Sequence, residues 1–265
     1  MNFALFRYSC RKVFPLWLIF TVLMSLYAFA VVRMYDPNAG AALISLTDSL
    51  PQTMTILGME NDTNTFTAFI VNYLYGMLML ALPMVFTVII SVQLMAHHVS
   101  NGTMSYLLAS PNSRKHIAAT QRNVLIVTLL LMLAVCCIVT IGLCEYFYPH
   151  QLDILPFLIL TACVFALHLA FAGMCYFFSC RSNGTVGALV VNAAACLLFY
   201  TIRLLANLGG PLSYLRFITP YTLINPTGIL QMDVKACLLP LILLVIAVIL
   251  FSLANRSFQK KTMPF

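Results

Sequence analysis

The sequence predicts an all-α polytopic membrane protein with six transmembrane helices, an N-terminal interfacial helix and both termini on the cytoplasmic side. Three observations carry that expectation. The chain is 62% hydrophobic and 8% charged over 265 residues, whereas a soluble domain carries about a quarter charged residues. Its apolar residues fall in runs long enough for a bilayer core of about 30 Å, which a helix crosses in about 20 residues. Its few charges divide by sign between alternate connections. The alternating polarity of a transmembrane β-barrel does not occur.

The first segment, 1–13, contains "NFALFRYSCRKV". Phe3, Phe6, Cys10 and Val13 recur at helical spacing beside Arg7, Arg11 and Lys12, so a short helix on the inner membrane surface is expected, turning at Pro15. The six-helix domain occupies 14–255, with spans at 14–32, 66–95, 123–147, 154–178, 186–208 and 236–253, and a tail follows at 256–265. "YAFAVV" at 27–32 resembles a signal-peptidase site, but losing the first helix would upset the charge balance described next. The connection 35–65 includes "ALISLTDSLPQTMTILGM", too short to span and too apolar for a solvated loop. It is expected to lie at the interface or over the outer mouth. The segment before the last span has the same character and is broken at Gly209-Gly210-Pro211, Thr219-Pro220 and Asn225-Pro226. A gate and simple packing both fit these two caps.

With the N-terminus inside, the inner segments hold Arg7, Arg11, Lys12, Arg114, Lys115, Arg122, Arg181, Arg256, Lys260 and Lys261. All seven acidic residues (Asp36, Asp48, Glu60, Asp62, Glu145, Asp153 and Asp233) fall on the outer side. This is the positive-inside pattern. The net charge of +7 is accounted for by loops facing anionic lipid, without nucleic acid.

No GxxxxGK[ST], HExxH, CxxC or GxSxG pattern occurs, so phosphate-loop, zinc-protease and nucleophile-elbow chemistry have no sequence basis. Almost all of the nine cysteines lie within the spans or at their ends, and the fourteen methionines are scattered along apolar faces, without ligand spacing, as core filler rather than a copper path. His168, in "FALHLAF", is the candidate polar residue of a pathway at membrane depth. The competing reading, a neutral imidazole bonded to a neighbouring helix, is favoured because no acidic partner lies inside the membrane, Glu145 being at the outer boundary of its span. In the fifth span Gly184, Ala188, Asn192 and Cys196 recur every four residues. That stripe marks a close helix contact, within the bundle or between two copies.

The largest inner connection, 97–116, reads "HHVSNGTMSYLLASPNSRKH". Asn101-Gly102 signals a turn, Thr103 is placed to cap a short helix with an apolar face of Met104, Leu107 and Leu108, and Pro111 ends it. Ser113 then caps the helix that becomes the third span. The stretch resembles the signature of type-2 ABC exporter permeases, Glu-x-x-x-Gly-Thr-x-x-x-Leu-Leu-x-x-Pro-x-Ser-Arg. Gly102, Thr103, Leu107, Leu108, Pro111, Ser113 and Arg114 match in order and spacing. "LRFITPYTLINP" is similar to the Pro-aromatic segment before the last span of these permeases. His98 departs from the pattern, standing where the family has Glu, and Gln121 stands where Lys is common.

The resemblance implies a transport pathway without its own motor. The 97–116 elbow would be the coupling helix that docks a cytosolic ABC ATPase, through Gly102, Thr103, Met104, Leu107, Leu108, Pro111, Ser113 and Arg114. Arg181, in the "CRSNG" loop, would supply a second contact. Two permease copies, identical or paralogous, would pair and bind two ATPase subunits. ATP and Mg would belong to those partners, so this chain is expected to carry no cofactor and to be no enzyme. Resemblance to phenol-soluble modulin exporters of Gram-positive bacteria points to amphipathic peptides as cargo and to a bacterial plasma membrane. Drug or lipid export stands as the alternative, and an intramembrane enzyme using His168 or a membrane scaffold as readings of another class.

Overall fold

In lipid each run must satisfy its own backbone hydrogen bonds, which a helix does within one segment. The computed structural model describes residues 3–35, 65–103 and 113–261. It is 88% helical and has no strand among the described residues. Six helices are long and apolar enough to cross a membrane: Phe3–Met34, Phe66–Ser100, Arg114–Phe147, Ile154–Arg181, Thr185–Asn207 and Val234–Lys260. The chain is thus an all-α, multi-pass architecture. The connection 36–64, for which an interfacial or capping position is expected, lies outside the described residues.

The first boundary expected from the sequence is corrected. No helix end separates 1–13 from the first span, because helical hydrogen bonding continues through Pro15 from Phe3 to Met34. Proline removes one N–H but need not end a helix when packing holds both sides. Here Leu5, Ser9 and Val13 are buried and continue the stripe of Met24, Ala28 and Val31. The expected apolar residue Phe3 is instead exposed. A helix of 32 residues is about 48 Å long, well beyond a core of about 30 Å. The expected tail is likewise shortened, since the last helix runs to Lys260.

The second span is irregular in three places, at Met77, at Pro83 and at Val92–Ala96. It runs Phe66–Gly76, breaks at Met77 (φ −128°, ψ −69°) and resumes as Leu78–Ser91. It then widens into a π-turn at Val92–Ala96 and closes with His97–Ser100. Two of these irregularities free a carbonyl that another span then uses. Met77 leaves helical geometry, and the Tyr73 carbonyl accepts from the Tyr27 hydroxyl at 2.6 Å. Pro83 has no N–H to offer the carbonyl four residues earlier, and that carbonyl, Met79 O, accepts from His168 Nε2 at 3.1 Å.

The fourth span is the hub, packing against the second, third, fifth and sixth, while the first packs chiefly on the third. Without a hydrophobic drive between helices in lipid, close backbone approach provides the attraction. A Cβ added at Gly173 would lie 3.0 Å from Leu250 Cβ and 3.3 Å from Ala247 O, so glycine sets the closeness of the fourth and sixth spans. The first, fifth and sixth spans keep broad exposed apolar faces, including Ile19, Leu26, Val190, Leu198, Val245 and Val248.

Between the last two spans the chain breaks where the sequence expects. Gly209 and Gly210 take positive φ, and short 3-10 helices cover Gly210–Ile218 and Pro220–Leu223. A helical turn at Pro226–Leu230 follows, capped by the Asn225 side chain. Tyr221 anchors the segment: its ring packs on Phe171 and its hydroxyl reaches Met84 Sδ at 3.5 Å.

Candidate functional site at the basic end of the bundle

Trp17 Nε1 donates to Thr128 O at 3.0 Å, which lays the first and third spans in parallel register with their N-termini at one end. The C-termini of the fourth and sixth spans meet the start of the third at that same end. The ten cations assigned inside from the sequence lie toward that end, on the first three turns of the first and third spans and at the last turns of the fourth and sixth. Lys12 lies close enough to His98 to act on it electrostatically.

The elbow's own apolar residues, Met104, Leu107 and Leu108, and Pro111 lie outside the described residues. Its two flanks are described, and both are pinned. On the leading side Gly102 takes φ +67°, a conformation that glycine adopts without strain. His98, 8% exposed, reaches Thr103 Oγ1 through Nδ1 at 2.9 Å, while that hydroxyl lies 3.3 Å from His98 O. The two contacts are compatible when Nδ1 carries the proton and the hydroxyl donates to the carbonyl. His98 thus clamps the turn from within. Thr103 is itself the first helical residue after the turn, so its hydroxyl, bonded to His98, does not stand at the capping position expected of it.

On the trailing side Ser113 is the N-cap of the third span, as expected, its hydroxyl accepting from His116 N at 3.3 Å. Arg114 does not face only outward: its Nη1 donates to Lys261 O at 2.8 Å. The Lys261 ammonium in turn donates to Cys180 O at 3.1 Å and Ser182 O at 2.5 Å, two carbonyls at the exposed end of the fourth span. Burial lowers the Lys261 pKa from its ordinary value, and the nearby Cys180 partly offsets this. One residue of the last helix therefore binds the elbow's end to the loop that carries Arg181. Arg181 itself is exposed.

Lys261 has no distinguishing sequence signal. It is the second of two adjacent lysines, and its acceptors are backbone carbonyls that no residue pattern marks. Gln121 is fully buried, and neither of its side-chain polar atoms has a hydrogen-bond partner among the described residues.

Deeper in the bundle the small stripe faces inward. Ala188 packs against Val92 and Ala96 of the π-turn. Asn192 Nδ2 donates to Ser179 Oγ at 2.9 Å and Ser91 Oγ at 3.2 Å, and the two hydroxyls are 3.4 Å apart. Cys196 Sγ lies 3.5 Å from Cys175 Sγ. Of the two arrangements open to the stripe, the structure places Ala188, Asn192 and Cys196 within one chain. Gly184, the N-cap of this span, bonds locally to the Ser182 hydroxyl, and a Cβ added there would meet nothing within 4 Å. His168 is fully buried and bonded to the second span, apart from this knot.

Among the described residues no three His, Cys, Asp or Glu side chains gather as a metal site. What the basic end can do is mechanical: it ties the start of the third span, through Arg114 and Lys261, to the ends of the fourth and sixth. In comparison with known proteins, no family model and no curated sequence matches this chain.

Proposed function

We propose that the chain is the permease subunit of an ATP-driven type-2 ABC exporter in a bacterial plasma membrane, with its basic end in the cytoplasm. The observation that carries this reading is the Gly-Thr…Leu-Leu…Pro-x-Ser-Arg elbow, whose flanks are fixed to the bundle by His98, Ser113 and Arg114. A coupling element must pass force to the spans without yielding at its base, and pinned flanks supply that stiffness. Two copies of the permease would each dock a cytosolic ATPase that holds ATP and Mg, and hydrolysis would occur there. The cargo would be an amphipathic peptide, in keeping with a bundle that has few charges at membrane depth.

The test is co-expression with candidate ABC ATPases, followed by affinity purification and peptide-export assays. The wild type retains an ATPase; Leu107→Asp with Leu108→Asp lowers retention and export while thermal unfolding is unchanged. Normal ATPase retention and export by the double variant would rule out the docking role.

A further inference from the structure

At the end of the bundle opposite the termini, the fifth span carries an arginine that its surroundings leave unneutralised. Arg203 lies with Cζ 5.3 Å from the Tyr221 ring centroid and 6.0 Å from that of Tyr200. Its Nη1 is buried and has no hydrogen-bond partner. Contact with aromatic faces returns only part of the cost of desolvating a cation, and an unmade charged hydrogen bond adds to it.

Arg203 forms a wall shared by two spaces. One is a small enclosed pocket of about 70 Å³, apolar apart from Tyr75, Tyr221 and Arg203. The other is an open groove of about 490 Å³, which also takes in Asn72, Asn207, Arg216, Thr219 and Asn225. Among the described residues no carboxylate lines either space. Asp153 belongs to the adjoining groove, where its Oδ2 accepts from Thr67 Oγ1 at 3.1 Å. As described, the open groove has two guanidinium groups, a border of amides and hydroxyls, and no carboxylate.

The rim indicates what kind of anion enters. Arg216 lies over Phe217, which is 70% exposed, and Tyr214 and Ile218 beside it are exposed too. Leu239 on the far wall is exposed, and Leu198, Leu205, Leu241 and Ile242 leave apolar surface exposed on the fifth and sixth spans as well. An aromatic rim above bare aliphatic helix faces matches the headgroup level of a bilayer.

We propose that this groove binds the phosphate of an anionic lipid, with Arg203 as its buried contact, Arg216 at the rim and the acyl chains along the fifth and sixth spans. The inference needs only the membrane setting and stands apart from the exporter reading. Native mass spectrometry of the full chain in detergent tests it, with phosphatidylglycerol, phosphatidylcholine or inorganic phosphate added separately. The wild type retains phosphatidylglycerol over the other two. Arg203→Gln lowers that retention by about tenfold or more, the worth of one hydrogen bond to a charged group. Arg203→Lys keeps part of it, and Arg181→Gln, at the other end, keeps all of it. Equal retention by wild type and Arg203→Gln overturns the site. Displacement of the lipid by inorganic phosphate overturns the lipid assignment in favour of a free anion, and displacement by an amphipathic peptide with a free C-terminal carboxylate overturns it in favour of cargo. If Arg203→Gln does not fold, Arg216→Gln is read by the Tm shift that phosphatidylglycerol induces. A smaller shift than wild type supports the groove, and an equal shift overturns it.

Discussion

Arg114 donates to the main-chain carbonyl of Lys261 at 2.8 Å across 147 positions of sequence. The Lys261 ammonium passes the connection on to the Cys180 and Ser182 carbonyls. Elbow, last helix and fourth-span loop are thereby one mechanical unit. Lys261→Ala strips two carbonyls of a charged donor and is expected to cost about 1–3 kcal/mol, because hydrogen bonds to charged groups are worth that much. Arg114→Ala should cost less, since its acceptor is partly exposed. Because the two residues share one network, their double variant should fall short of the summed effects. Denaturant or thermal unfolding in detergent measures all three, and strict additivity would contradict the link.

The bond from His168 to Met79 exists because Pro83 leaves that carbonyl without a helical donor. His168→Leu is expected to destabilise by about 1–2 kcal/mol, the cost of an unpaired buried carbonyl. Pro83→Ala restores the missing N–H, so it should recover part of that loss when combined with His168→Leu. Failure of the second change to rescue the first, in the same unfolding assay, would show that the imidazole serves another purpose.

Asn192 joins the second, fourth and fifth spans through Ser91 and Ser179. Interhelical hydrogen bonds in membranes are modest, so Asn192→Ala should cost about 0.5–2 kcal/mol. Ser179→Ala and Asn192→Ala together should cost little more than Asn192→Ala alone. The comparison of single and double variants by unfolding decides it.

Gly173→Val would push a branched side chain into Leu250 and the Ala247 carbonyl, which already lie 3.0 and 3.3 Å from where a Cβ would stand. Overpacking of this kind costs about 1–3 kcal/mol. Gly142→Val, at a site with no neighbour within 4 Å, should be much milder. Paired Tm measurements on the two variants provide the check.

The six spans were legible because hydropathy over about 20 residues is a local quantity, readable without knowing what packs on what. The breaks at Gly209-Gly210, Thr219-Pro220 and Asn225-Pro226, and the Ser113 cap, were legible for the same reason: each is fixed by the conformational limits of a few adjacent residues. The first helix was not. Pro15 gave a local signal to turn, and the packing of Leu5, Ser9 and Val13 overrode it.

The sequence by itself therefore determined how many helices there are, which ends carry the cations, and where the elbow's turn and cap fall. Only the tertiary structure decided which partners the polar residues take. It turned the small stripe inward onto Ser91 and Ser179, gave His168 the carbonyl that Pro83 had freed, and made Lys261 the tie between elbow and loop. It also left Arg203 in a groove without a carboxylate among the described residues. The physical reason is common to all four. Their partners are backbone carbonyls, hydroxyls or empty space brought together by helix packing, and none has a signature that adjacent residues could carry.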